Sequence, residues 1–191
     1  MEQREGRPSE REYECLSAMQ KSIRRGLELD AGRFFFELAE GRWAYMAINR
    51  LMVIAHEDVG TGDMLSALFA LRGVDDARDM YKSGNGGWRL AASNAILALC
   101  RARKSRQSDH FQAVVRGRNV DSMPQIPDWA LDKHTTRGRA MGRGVAHFRD
   151  VGTKLDREAG EDPYREEAFA AWGSNKLSRP PAGPQMNLFD G

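Results

Sequence analysis

The sequence has few of the residues from which metal, redox and cofactor sites are built. Among 191 residues there are two cysteines and four histidines. Cys15 and Cys100 lack CxxC spacing, so we expect buried free thiols rather than a disulfide or zinc ligands. The histidines show no ligand spacing, and neither HExxH nor G-x-S-x-G occurs. We therefore expect no cofactor, no metal and no catalytic site.

Long apolar runs are also missing, as is a basic, apolar start. No run reaches the length of a membrane-spanning helix, and residues 1–5 are too acidic and polar for a signal peptide. Hydrophobic residues make up 41% of the chain, which supports a folded core, while 29% charged residues and a mean hydropathy of −0.61 indicate a strongly solvated surface. We expect a cytoplasmic protein. The net charge of +2 does not by itself predict nucleic-acid binding.

Apolar residues in the first part of the chain recur at helical spacing. Ser9 and Glu12 form a capping-box pattern that opens a helix ended by Gly26. No segment alternates with period two over the length of a strand. The pattern predicts an all-α bundle or helical array. The further helices are expected from Asp30 to Gly41, Trp43 to His56, Asp63 to Leu71, Asp75 to Tyr81, Trp88 to Cys100 and about Ser108 to Val115.

The triplet Phe34-Phe35-Phe36 cannot face a single direction, because consecutive helical residues diverge by about 100°. One face could meet another helix and another face a neighbouring subunit. A single thick core is the alternative, and the pattern favours neither.

The composition changes after residue 116, where prolines and scattered glycines replace the helical pattern. We predict a helical domain over 8–116 and an irregular segment with a final helix, 117–173, packed on it. Trp129-Ala130-Leu131-Asp132 and Ala146-His147-Phe148 are the expected anchors of that segment on the helical domain. Asp162-Pro163 should cap the final helix, Tyr164 to Trp172. Residues 174–191 are predicted to form a flexible tail.

Two groups of basic residues allow more than one interpretation. The first lies among glycines between Trp129 and His147-Phe148, where it could contact phosphates while the aromatic rings stack on bases. It could equally be a solvated segment that pairs with nearby carboxylates. The second, at a helix C-terminus, favours compensation of the helix dipole. The first group is Lys133, His134, Arg137, Arg139 and Arg143, and the second is Arg101, Arg103, Lys104 and Arg106.

The run His56-Glu57-Asp58 places two carboxylates at a predicted helix end. Acid–base chemistry or a metal site is one interpretation. However, adjacent helical carboxylates point to different faces, so the spacing favours capping of the next helix or pairing with an arginine.

The tail carries apolar residues where solvated ones are usual. The segment 179–184 holds three prolines, which lack backbone donors and disfavour helix and sheet. Gln185, Met186, Leu188 and Phe189 follow, in a pattern that resembles the bacterial sliding-clamp-binding peptide. This resemblance implies the sliding clamp (beta) as a partner. A self-docked or inert tail is the alternative.

Four segments together resemble the C-terminal helical region of the replication-associated recombination ATPases, the RarA/MgsA relatives of clamp loaders. The similarity covers about residues 11–150. The segments are Leu16 to Arg24 with Lys21-Ser22-Ile23-Arg24, Arg50 to Gly60 with Glu57-Asp58-Val59-Gly60, Ala95 to Leu99 leading to Lys104-Ser105, and Met141 to Gly144 with His147.

The resemblance implies a collar-like helical domain that assembles its ATPase into a tetramer at stalled replication forks in bacteria, or in a bacterial host of a phage or plasmid. An AAA+ ATPase of this type is then a possible partner. However, the sequence lacks G-x-x-x-x-G-K-[ST], and Gly84-Asn85-Gly86-Gly87 has no lysine to hold phosphate. We therefore expect a non-enzymatic adaptor for replication or repair, homo-oligomeric and clamp-binding. The alternative is a DNA-binding module that uses residues 129–148.

Overall fold

A computed structural model describes residues 7–118 and 123–173, which form two compact units on either side of the gap. All regular secondary structure in these residues is helical, which confirms the predicted all-α class. None of their helices is long and apolar enough to span a membrane. The first unit contains α1 (Glu10–Arg24), α2 (Glu28–Leu38), α3 (Ala44–Ile54), α4 (Met64–Lys82), α5 (Trp88–Arg101) and α6 (Gln107–Arg118).

The capping box at the start of α1 is confirmed. The Ser9 amide donates to the Glu12 carboxylate, and the Glu12 amide donates to the Ser9 hydroxyl. The helix ends before Gly26, which adopts a left-handed φ of 73°. The prediction that Asp30 caps the second helix was wrong, because α2 already begins at Glu28 behind Leu27.

Gly41 does not end a helix in the expected way. A kinked turn, Ala39–Trp43, joins α2 to α3, and its left-handed residue is Arg42 at φ 93° rather than the glycine. The Trp43 indole donates to the Glu12 carboxylate, so this turn is joined to the start of α1.

The predicted break between Leu71 and Asp75 was wrong, because α4 is one continuous helix of 19 residues. Gly73 lies within it and faces α5. A Cβ at this position would lie 3.2 Å from the Ala91 carbonyl oxygen and 3.5 Å from the Ala95 Cβ. The glycine thus permits a close helix–helix approach and does not interrupt the helix.

The core of the first unit is shared by α1 to α5 and is rich in alanine where α4 meets α5. All three phenylalanines of the triplet pack against it, with Phe35 fully buried and Phe34 and Phe36 partly buried. Phe35 meets Phe36 edge-on, with 5.2 Å between ring centroids. The three phenylalanines therefore belong to one core, as the second of the two interpretations given above expects. The other large, fully buried apolar side chains are Met19, Ile23, Leu38, Ile48, Leu51, Ile54, Val59, Val74 and Leu99.

The second unit consists of short helical pieces joined by irregular backbone. It contains a 3₁₀ turn (Asp128–Ala130), α7 (Thr136–Ala140), α8 (Val145–His147) continuing into a π-helical turn (Phe148–Gly152), and α9 (Arg165–Gly173). The Tyr164 amide donates to the Asp162 carboxylate just ahead of α9. The prediction that this segment packs on the helical domain stays a prediction.

The apolar anchors of the second unit differ in part from those expected. Within the expected anchor Trp129-Ala130-Leu131-Asp132, Leu131 is buried, whereas Trp129 is 65% exposed, so the prediction was wrong for Trp129. Phe148 packs inside its own unit. Its ring meets His134 with centroids 4.8 Å apart and Trp172 with centroids 5.7 Å apart.

Candidate functional site

The predicted clamp-binding residues lie outside the described residues. These are Gln185, Met186, Leu188 and Phe189. The described residues contain three other candidate features: a buried ion-pair cluster, the basic segment of the second unit, and two exposed apolar helix faces.

The ion-pair cluster surrounds Asp58, whose side chain is 0% exposed. The last turn of α1 supplies Gln20 and Arg24, and a π-helical turn, Ala55–Val59, supplies Glu57 and Asp58. Arg24 donates to both Asp58 carboxylate oxygens, over 2.8 Å from Nε and 3.3 Å from Nη2. Gln20 Nε2 donates to Asp58 Oδ2 at 3.2 Å. The buried carboxylate is thus hydrogen-bonded on two sides, and the positive charge of Arg24 compensates its negative charge.

Glu57 completes the cluster from the solvent side. It accepts from Arg24 Nη2 at 3.2 Å and from Arg106 Nη2 at 3.1 Å. The Ser105 amide donates to the Asp58 carbonyl oxygen over 2.9 Å, which fastens the start of α6 to the same turn. The cluster therefore joins three parts of the chain that are distant in sequence.

This geometry fits a structural clasp better than an acid–base or metal site. A general base needs a free lone pair near a cavity, whereas both carboxylates here already accept from guanidinium groups. The predicted pairing of Glu57 and Asp58 with arginine is confirmed. Within 7–118 and 123–173, no group of three His, Cys, Asp or Glu residues is placed to hold a metal ion.

The second basic group acts in two ways. Lys104 Nζ donates to the carbonyl oxygens of Cys100 and Ala102, at 2.8 and 2.7 Å, which confirms compensation at the α5 C-terminus for this residue. Arg101 instead pairs with Glu28 at 2.7 Å, and thus joins α5 to α2. Burial lowers the pKa of Lys104 and raises the pKa of the Cys100 thiol to about 11. Cys100 is therefore a protonated, buried thiol near neutral pH, as predicted.

The arginines of the basic segment hold its own backbone together. Arg143 donates to the carbonyl oxygens of Asp128 and Leu131, at 2.7 and 2.8 Å, and only 15% of its side chain is exposed. Arg139 donates to the carbonyl oxygens of Lys133 and His134, each over 3.2 Å. Both guanidinium groups therefore satisfy main-chain acceptors in a unit with little regular structure.

The remaining basic residues divide into those that pack and one that does not. His134 Nδ1 lies 3.0 Å from Asp132 Oδ2, and this contact lowers the pKa of Asp132. The Lys133 ammonium sits 4.8 Å from the Phe148 ring centroid. Arg137 is exposed and makes no contact of this kind with the residues the structure describes. The segment thus brings its aromatic and basic residues together mainly for folding.

Two exposed apolar faces were missed at the sequence level. The first half of α4 exposes Met64, Leu65, Leu68 and Phe69, while its opposite face buries alanines and Val74. In α6, Phe111, Val114 and Val115 are all exposed. The signal was available in the spacing, since residues i, i+3 and i+4 share one helix face. This spacing does not identify an exposed face by itself, because apolar residues that face a core have the same helical spacing.

One comparison with known proteins adds to this geometry. The chain is 28% identical over 137 residues to "Replication-associated recombination protein A" of Bacillus subtilis (strain 168). The match takes in 70% of this chain and 31% of that protein, so the chain spans about a third of the relative's length. No family model matches the chain. The similarity supports a region related to this recombination protein, and two of the segments that carry the resemblance meet at the Asp58 cluster.

Proposed function

We propose that the chain is a non-enzymatic adaptor for replication or repair, which self-associates through its helical unit and binds the bacterial sliding clamp through residues 185–189. The observation that carries this proposal is the peptide Gln185-Met186-Asn187-Leu188-Phe189 behind a proline-rich segment. Leu188 and Phe189 form a compact apolar plug, and the Gln185 amide can both donate and accept.

The replication setting has a second, independent support. The resemblance to replication-associated recombination ATPases does not depend on the tail peptide, because its segments lie within about residues 11–150. Both observations point to proteins that act at the replication fork. An ATPase related to that recombination protein is therefore a candidate partner beside the clamp.

The helical unit supports a binding role rather than catalysis. Its candidate acid–base residues are committed to ion pairs, and seven of its exposed apolar residues form two groups, on the first half of α4 and on α6. Grouped apolar surface is typical of protein–protein contact. Burying two large apolar side chains of the tail contributes roughly 3–6 kcal/mol before ordering costs, so one peptide should bind with a Kd of about micromolar at best. Several tails on one oligomer would strengthen such a contact.

The double substitution Leu188→Ala, Phe189→Ala tests the proposal. We expect affinity for a bacterial sliding clamp to fall by about a hundredfold or more, because the apolar plug is removed. Helicity and Tm should not change. The matched control is Asn187→Ala, which alters the variable position of the pattern and should leave affinity within about twofold. Calorimetric titration gives both values, and clamp binding retained by the double variant would refute the proposal.

The alternative function is DNA binding through residues 129–148. It is favoured by exposed Arg137 and exposed Trp129, which are free to meet phosphate and base. Arg139 and Arg143 are poor test positions, because their removal would disturb the fold of the unit.

A charge reversal at Arg137 separates the two functions. If this segment binds DNA, Arg137→Glu should weaken binding about tenfold and lower the salt dependence, because a phosphate contact is lost. The control is Arg33→Glu, at an exposed arginine of α2. Fluorescence anisotropy at several salt concentrations measures both. Equal DNA affinity for the two variants would remove the alternative.

A further inference from the structure

Helix α6 projects from the first unit with little to support it. No residue of α6 is buried, and every residue from His110 to Arg118 is exposed. Only its beginning is fastened, through the Ser105 amide to Asp58 and through Thr61 to Gln107 at 3.2 Å. A helix of 12 residues has marginal stability alone in water. It needs a surface to pack on, and its apolar stripe of Phe111, Val114 and Val115 indicates where that surface would meet it.

The first half of α4 offers a surface of matching pattern. Leu65 and Phe69 are 81% and 59% exposed, and Met64 and Leu68 lie beside them. Four such side chains form an apolar patch on the order of 400–500 Å², within the upper range that a monomer exposes. A stable protein interface takes about 800 Å² from each partner, which the patch and its polar rim approach.

The two faces match in spacing. Phe111, Val114 and Val115 occupy positions i, i+3 and i+4, and Leu65, Leu68 and Phe69 repeat the same spacing on α4. When the helices lie parallel with these triplets side by side, the end of α6 reaches the middle of α4.

We propose that α6 of one copy packs on the α4 face of a second copy of this chain. The inference rests on the self-association in the proposed function and identifies the two surfaces responsible. Such a contact is heterologous, because each copy gives one surface and receives the other, and repetition closes a ring when the rotation permits. It would bury both apolar faces and supply the packing that α6 lacks within its own unit.

Single charge substitutions on either face test the contact in the full-length chain. Phe111→Glu and Leu68→Glu should each weaken self-association by about a hundredfold or more, because a charge would be buried in the interface. Both positions are exposed, so neither change should unfold the core of the first unit, and circular dichroism should still show a helical protein. The matched control is Leu29→Glu, at an 82% exposed leucine of α2, which should assemble as the wild type does. Sedimentation velocity gives the assembly size.

Mixing the two variants gives the decisive result. The Phe111→Glu copy keeps an intact α4 face and the Leu68→Glu copy keeps an intact α6 stripe, so the mixture retains one complete contact. We expect each variant alone to sediment as a 21.4 kDa monomer and the equimolar mixture to form a dimer of twice that mass. A mixture that stays monomeric would overturn the inference, because it retains one complete pair of the proposed surfaces. Assembly of Phe111→Glu alone with monomeric Leu68→Glu would indicate a contact of α4 with α4 and would also overturn it.

The remaining outcomes are also distinguishable. Wild-type assembly by both variants would overturn this inference and leave self-association itself intact. A wild-type chain that is monomeric at every concentration would overturn the inference together with the self-associating part of the proposed function. The same holds if the two faces bind a recombination ATPase and not a second copy. Clamp binding, measured on the same samples, depends on residues 185–189 and is unaffected by either result.

Discussion

Asp58 shows how a single residue organises the first unit. A carboxylate that is 0% exposed would be strongly destabilising without a partner, and Arg24 supplies two hydrogen bonds to it. The same turn receives the Ser105 amide and the Arg106 guanidinium. The cluster therefore holds together α1, the turn after α3 and the beginning of α6.

Asp58 is fully buried whereas Arg24 is partly exposed, and this difference leads to a stability prediction. Arg24→Leu should lower the free energy of unfolding by about 3 kcal/mol, because it leaves a buried carboxylate without its main partner. Asp58→Asn should cost less, about 1–2 kcal/mol, since Arg24 is partly exposed and water can solvate it. Urea denaturation followed by circular dichroism measures both changes.

The matched control is an arginine–glutamate pair at the surface. Arg11 binds Glu37 at 2.9 Å, but their side chains are 63% and 48% exposed. Arg11→Leu should leave the free energy of unfolding nearly unchanged, because an ion pair exposed to water contributes little. If Arg24→Leu proves as mild as Arg11→Leu, the Asp58 cluster does not fasten the unit as described.

The sequence indicated pairing with arginine for Glu57 and Asp58 but could not name the partners. Arg24 is 34 residues from Asp58, and Arg106 is 49 residues from Glu57. Only the fold brings such positions together. The same applies to Arg143, whose basic charge suggested phosphate contact while its geometry shows main-chain contacts with Asp128 and Leu131.

At the scale of elements, the most reliable predictions came from short sequence patterns that allow only one structural interpretation. The capping box at Ser9 was readable because it needs only four neighbouring residues. The break predicted between Leu71 and Asp75 was wrong because a glycine such as Gly73 can either end a helix or let another helix approach, and the sequence does not distinguish these uses. The packing of α5 against α4 decides between them.

The two uses of glycine give a prediction at the level of helix packing. Gly73→Leu should lower the free energy of unfolding by about 2–3 kcal/mol, because its side chain must displace the Ala91 backbone and Ala95. The control is Gly32→Leu in α2, where a Cβ meets nothing within 4 Å. That change should be neutral or stabilising by up to about 1 kcal/mol through helix propensity. Thermal denaturation that ranks the two variants the other way would contradict the packing described for α4 and α5.

At the scale of the whole molecule, the all-α class and the clamp-like peptide were both accessible from sequence. Periodicity fixes the class, and the peptide is a short linear pattern that needs no fold to be recognised. The exposed faces of α4 and α6 were not accessible in the same way, since an apolar helical residue can face a core or a partner. Burial in the structure separates these cases.

The central claim is that residues 185–189 engage a sliding clamp, and the most direct test is competition in solution. Intact protein should bind a bacterial sliding clamp saturably with a Kd of about micromolar for a single contact, and a synthetic peptide of residues 185–191 should displace it. A peptide with alanine at Leu188 and Phe189 should not compete. The absence of saturable binding, or binding that the wild-type peptide cannot displace, would contradict the account.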